Sequence, residues 1–181
     1  GSAAVEAPQD VERWLMTYGP ERVCLAFDVK LDADGTPRLR TRGWTQETQR
    51  SMWDAVERFV PAGLRHVLCT DIERDGALSG PNVALYAEAV ARYPHIRWQA
   101  SGGISNAADL SALATAGAAA AISGKALLEE RIDDDDEALR QLRVQRALTQ
   151  LRLGQRGVYV HEQGNRCSAE SSRHRICATG F

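Results

Sequence analysis

His66-Val-Leu-Cys-Thr-Asp-Ile-Glu-Arg-Asp-Gly-Ala-Leu-Ser-Gly-Pro-Asn82 passes from an apolar run into an acidic, glycine-rich segment and ends on a residue that caps helices well. Read with the alternation rules, His66–Thr70 is a buried strand, the segment after it a loop, and Asn82–Tyr93 a helix opened by Gly80-Pro81. The same order recurs on both sides. Val23–Val29 is an apolar strand, followed by a long loop and then a helix inside Trp44–Val60. There Met52, Trp53, Val56, Phe59 and Val60 fall at helical spacing, and Pro61-Ala-Gly63 ends the run. Arg97–Ala100 is a strand that leads through Ser101-Gly-Gly103 to a helix over Asn106–Ala116, capped by Ser105 or Asn106. Ala119–Ser123 is a further strand, followed by Gly124-Lys125. Asp133–Leu153 is expected to be the last helix, its Asp133–Asp136 run suiting the positive end of the helix dipole. Ahead of all these, Pro8–Tyr18 reads as a helix that stops at Gly19, with Val11, Trp14 and Leu15 on its apolar side.

Strand followed by helix, repeated, predicts an α/β domain with a parallel sheet of right-handed βαβ units. Continuously apolar strands fit a sheet covered on both faces or closed into a barrel. The polar and glycine-rich segments all follow strands, and in such folds ligands bind at the carboxyl ends of strands. The domain is expected over 1–153. From Gly154 to Phe181 apolar periodicity is lost, and 154–181 reads as an irregular tail.

Composition removes several classes. The 181 residues are 44% hydrophobic and 25% charged, enough to bury a core. Lys+Arg is 22 against Asp+Glu 24, a net charge of −2, so no nucleic-acid partner is expected. No apolar run approaches the length of about 18 residues that a membrane span needs, and no basic leader precedes an apolar segment. Cys24, Cys69, Cys167 and Cys177 form no CxxC pair, which argues against a disulfide framework and for a reducing, cytoplasmic location. His161, Cys167, His174 and Cys177 in the tail match no usual zinc spacing, so no metal is expected.

Chemistry concentrates at the strand ends. Asp71-Ile-Glu-Arg-Asp-Gly76 supplies a carboxyl group for general acid–base work, or only a loop with solvated charges. Asp28 closes an apolar strand and is a second, partly desolvated candidate; two carboxyl groups facing one cleft transfer protons without a metal. Ser101-Gly102-Gly103 and Ser123-Gly124-Lys125 end consecutive strands. Their backbone N–H groups suit an anion such as phosphate, or the glycines only make tight turns. Trp44, in Arg42-Gly-Trp44, either stacks on a planar ligand or packs over the rim.

Phe27-Asp-Val29, Arg42-Gly-Trp44, Thr70–Asn82, Ala100-Ser-Gly-Gly-Ile-Ser105 and Ile122-Ser-Gly-Lys-Ala-Leu127, in that order and spacing, resemble the C-terminal half of the ProFAR isomerases of histidine biosynthesis. The resemblance runs from about Gly1 to about Arg140, and its Thr70–Asn82 segment is its most specific part. It implies half of a (βα)8 TIM barrel, about four βα units. Gly1-Ser-Ala-Ala-Val5 is similar to the loop after the family's fourth strand, unless Gly1-Ser2 is a cloning scar.

The activity implied is an Amadori rearrangement of an aminoaldose to an aminoketose, with no metal or organic cofactor. One family carboxylate comes from the first barrel strand, which has no counterpart in these residues. Its partner corresponds to Asp75, and Asp28 and Thr70 correspond to assisting positions. Ser101, Gly102, Gly103, Gly124 and Lys125 correspond to phosphate loops, and Trp44 to the residue that stacks on the substrate's imidazole carboxamide. The expected partners are a phosphorylated small molecule or free phosphate, and a second copy that closes the barrel with its own Asp28 at the first-strand position. Turnover is expected to be weak or absent without that dimer. The alternative is a non-catalytic phosphate-binding half-barrel, or a gene fragment of structural interest.

Overall fold

In a computed structural model of the chain, which describes residues 2–41 and 46–132, the elements run α1 (Ser2–Glu6), α2 (Pro8–Tyr18), β1 (Cys24–Leu31), β2 (Pro37–Thr41), β3 (Gln46–Ser51), α3 (Met52–Phe59), β4 (His66–Asp71), α4 (Val83–Arg92), β5 (Arg97–Ser101), α5 (Ala107–Thr115), β6 (Ala120–Ile122) and α6 (Lys125–Leu128). The expected strands are present as β1, β4, β5 and β6, paired in parallel in that order. This is an α/β fold with a parallel sheet. The expected helix over Asp133–Leu153 and the tail lie outside the described residues.

Alternation along each strand decides what is buried. Leu25, Phe27 and Val29 of β1, Val67 and Cys69 of β4, and Trp98 and Ala100 of β5 point to one face. They share a single core with Val11 and Leu15 of α2, Met52, Val56 and Phe59 of α3, Leu85 and Tyr86 of α4, and Leu110 and Leu113 of α5. Fully burying a side chain of this size contributes about 2 kcal/mol, so this face supplies most of the stability. Ala26, Asp28 and Lys30, Leu68 and Thr70, and Gln99 and Ser101 alternate to the other face and are half-buried.

Helix starts follow the capping rules. Ser51 accepts the Asp54 N–H at 3.0 Å and Asn106 accepts that of Asp109 at 3.1 Å, each within a reciprocal capping box. Asn82 accepts the Leu85 N–H at 3.2 Å.

Three expectations need correction. Residues 37–41 and 46–51 are not loop or helix but an antiparallel hairpin added to the outer side of β1. Asp32 ties its turn: Oδ1 accepts the N–H groups of Asp34 (3.0 Å) and Thr36 (2.8 Å), and Oδ2 accepts from Arg38 Nε (2.8 Å). Those bonds hold the Asp32 carboxyl below the usual range, the Arg38 contact most of all. Ser2–Glu6 is a short helix rather than a loop, in keeping with its alanines and the bond from the Ala7 N–H to the Ala3 carbonyl. Trp14 is 40% exposed, whereas Val11 and Leu15 of the same helix are buried.

Candidate functional site

Register brings three of the expected site residues into one row. Asp28 pairs with Thr70 across β1 and β4, and Thr70 with Ser101 across β4 and β5. In-register neighbours on parallel strands project to the same face, here the one opposite the helices. The row lies at the carboxyl ends of the strands. On its far side Arg40 of β2 stands opposite Asp28, so the carboxyl has a cationic neighbour in the row.

The segment after β4 is held tightly. The main-chain carbonyl of Asp71 accepts the N–H groups of both Arg74 and Asp75 at 3.1 Å. The Asp71 carboxylate accepts from the Glu73 N–H and from Asn82 Nδ2, each at 3.1 Å, with Arg74 Nε 3.8 Å away. Arg74 Nη1 donates to the Gly80 carbonyl at 2.9 Å. The turn so formed carries Asp75 at its exposed tip, just past the strand end that bears Thr70. Lys125, after β6, donates to the carbonyl of Gly76 at 3.1 Å and lies 3.9 Å from Glu129. Two segments 49 residues apart in sequence thus meet beside Asp75.

The glycines fall into two kinds. Gly102 and Gly103 are buried, with φ of +97° and +85°. A Cβ on Gly102 would stand 2.5 Å from the Asp71 carbonyl oxygen, and one on Gly103 2.4 Å from that of Gly80. The Gly80 N–H also donates to the Gly103 carbonyl at 2.9 Å. Both glycines therefore let the turn after β5 pass directly against the Asp71–Gly80 loop. Gly124 has φ −107° and is not under that constraint. Beside it the Ser123 hydroxyl is buried with no hydrogen-bond partner among the described residues.

Tyr86 is a site residue that the sequence does not single out. Its ring is fully buried, and its hydroxyl lies 2.9 Å from the Cys69 carbonyl, 2.8 Å from the Ser101 carbonyl and 3.1 Å from the Ser101 N–H. It pins together the two strand ends that carry Thr70 and Ser101. Burial pushes its phenol well above the ordinary range, so it stays protonated as a donor. The signal available is an isolated Tyr on the apolar face of a helix, which reads equally well as packing. Trp44 and its neighbours Arg42 and Gly43 lie outside the described residues, as do His161, Cys167, His174 and Cys177. Among the described residues no group of three or more His, Cys, Asp and Glu could hold a metal ion, and no helix is long and apolar enough to cross a membrane.

Residues 1–133 match a protein family described as histidine biosynthesis protein. The chain is similar to the 1-(5-phosphoribosyl)-5-((5-phosphoribosylamino)methylideneamino)imidazole-4-carboxamide isomerase of Klebsiella pneumoniae, 47% identical over 133 residues, which is 74% of this chain and 54% of the relative. The same-named enzymes of Cronobacter sakazakii and Serratia proteamaculans are each 48% identical, over 133 and 136 residues; the matches cover 74% and 75% of this chain, and 54% and 56% of the relatives. The chain spans about half the length of the curated relatives it matches.

Proposed function

Because the chain belongs to the histidine biosynthesis protein family, we propose that it carries half of the active site of an aldose–ketose isomerase, on four βα units of a (βα)8 barrel completed by a second copy of the chain. The observation that carries this reading is the Asp28–Thr70–Ser101 row beside the loop that bears Asp75. In the proposed reaction Asp75 protonates the ribose ring oxygen as the C1–O bond opens, and the attached nitrogen supplies the electron pair. A carboxylate then takes the proton from C2, and the enolamine formed ketonises to the aminoketose. Atoms balance within one substrate, and proton transfers alone suffice. Trp44 is proposed to stack on the substrate's planar imidazole carboxamide.

The sheet edges support a dimer. β2 covers only Asp28–Leu31 of β1, so among the described residues Cys24–Phe27 has no neighbour on that side, nor has β6 on its outer side. Unpaired N–H and C=O groups in a row are a template for another strand. A second copy would set its β6 against Cys24–Phe27, and its Asp28 would face the Asp75 loop of the first. Light scattering at micromolar concentration is expected to give twice the chain mass, and a stable monomer would overturn the dimer. Expression in a histidine auxotroph lacking the isomerase tests the activity: slow growth supports it. A dimer that binds phosphate and never rescues growth favours the non-catalytic alternative.

A phosphate of the substrate is proposed to sit against Ser101, Gly102, Gly103, Gly124 and Lys125. The support is the buried Ser123 hydroxyl beside Gly124 and the ammonium of Lys125 close by. Inorganic phosphate at ten times its dissociation constant is expected to stabilise the fold by about 1.4 kcal/mol, read as a rise in melting temperature. Lys125→Met should remove most of that rise. No rise in the parent protein at tens of millimolar phosphate would count against the site.

A further inference from the structure

We infer that Asp71 is the positioning residue for Asp75: it takes no part in the proton transfers itself but sets where that carboxyl stands. The inference rests on the reading of Asp75 as the general acid. Asp71 is the one Asp, Glu, Lys or Arg buried among the described residues, 2% exposed. It ends β4 on the side that carries Val67 and Cys69, facing the helices. A carboxylate there gives up its hydration, and an apolar residue would satisfy the core at lower cost. Its presence there is explained by what it holds.

The side chain and the carbonyl of Asp71 both reach into the loop. Its carboxylate joins Glu73 at the start of the turn to Asn82 at the end, with Arg74 close to the same oxygen that Asn82 reaches. Asn82 in turn caps α4 through its other side-chain atom, so the loop's far end is fixed to a helix. The Asp71 carbonyl holds the Asp75 N–H itself. Arg74 extends the brace to Gly80, which is bonded to Gly103 in the turn after β5. Asp75 stands at the exposed tip of this frame with its own backbone fixed on the Asp71 side, and the following carbonyl is fixed by Lys125.

The test is Asp71→Asn, which keeps shape and volume but turns a donor toward Asn82 and Arg74. Hydrogen exchange of the full chain is expected to accelerate at least about tenfold at Glu73, Arg74 and Asp75, since charge-assisted bonds of this kind are lost. Amides in α3 and α5 should stay protected. Isomerase activity is expected to fall in kcat with KM unchanged. Asn82→Asp added to Asp71→Asn reverses the polarity of the pair and should restore both loop protection and kcat. Asn82→Ser, which still caps α4, serves as the second variant should Asp71→Asn fail to fold, and is expected to loosen the same three amides. Unchanged exchange at Asp75 in Asp71→Asn, or in Asn82→Ser where the first does not fold, overturns the inference. So does a loosened loop with full kcat in a protein that Asp75→Asn inactivates. Where Asp75→Asn leaves activity intact, or the parent shows none, it is the catalytic reading of Asp75 that fails, and the exchange data alone decide whether Asp71 sets the loop.

Discussion

Gly103→Ala is expected to lower the melting temperature by ~10 °C. Two costs combine. At φ +85° an L side chain meets its own carbonyl, and the new Cβ lies 2.4 Å from the Gly80 carbonyl oxygen and 3.0 Å from Arg74 Cβ. The conformational part costs about 1–2 kcal/mol and the overpacking about 1–3 kcal/mol, for a sum near 3 kcal/mol. Backbone is the obstacle, so a rotamer change cannot relieve it; Gly80 must move, and with it the Arg74 brace. Gly35→Ala is the control. Its φ is +77° and nothing lies within 4 Å of its Cβ, so only the conformational cost of about 1–2 kcal/mol applies. Thermal melts followed by circular dichroism separate the two. Equal losses at Gly35 and Gly103 would mean that the loop does not press on Gly103.

The same glycines show where the sequence is readable and where it is not. A Gly-Gly pair after an apolar strand announces a turn that only glycine can make, and Gly102 and Gly103 make it. The letters do not say what approaches the glycines. An anion and a neighbouring loop both favour an absent Cβ, and on the Cβ side of these glycines it is the Asp71–Gly80 loop that lies close. The four parallel strands are legible because their apolar runs are short and bounded by glycine and proline. The hairpin is equally present as a pattern: Asp32-Ala-Asp-Gly35 is a turn, and Pro37-Arg-Leu-Arg-Thr41 alternates at period two, with Leu39 and Thr41 buried. Its charged alternate face and its length suit a solvated loop as well, so the pattern alone does not decide. Trp14 departs from expectation for a different reason. Helical spacing fixes angles around a helix but not the width of the stripe its neighbours cover, and here the stripe ends at Val11 and Leu15. Of the site, the acidic residues are visible as types. Their division of labour is not, because nothing in Asp71-Ile-Glu-Arg-Asp75 tells a buried brace from an exposed acid until strand register aims one at the helices.

On the proposed reading, Asp75→Asn and Asp28→Asn each reduce isomerase turnover by about 10²–10⁴-fold, the range expected for loss of one general acid–base group. The two losses have separate origins. Asp75 is carried on a braced loop, and Asp75→Asn keeps the loop's backbone bonds but leaves an amide with no proton to give the ring oxygen. Asp28 stands in the row with Thr70 and Arg40. In a two-fold dimer it is the carboxylate that the partner copy offers at the position opposite the Asp75 loop. The family resemblance gives Asp28 an assisting role rather than that of the first-strand carboxylate, so the parent dimer is expected to turn over far more slowly than a full-length barrel. The dimer gives the decisive experiment. Mixing Asp75→Asn with Asp28→Asn chains should return about a quarter of parent activity when exchange is random. In half of the dimers, the mixed ones, one of the two sites is assembled from the unmutated Asp75 of one chain and the unmutated Asp28 of the other. Complementation of this kind requires that the two carboxyls act across the interface. If Asp75 and Asp28 act within one chain, the mixed dimer also keeps no intact site and no activity returns. Activity that survives in both single variants before mixing points to a host isomerase carried through purification.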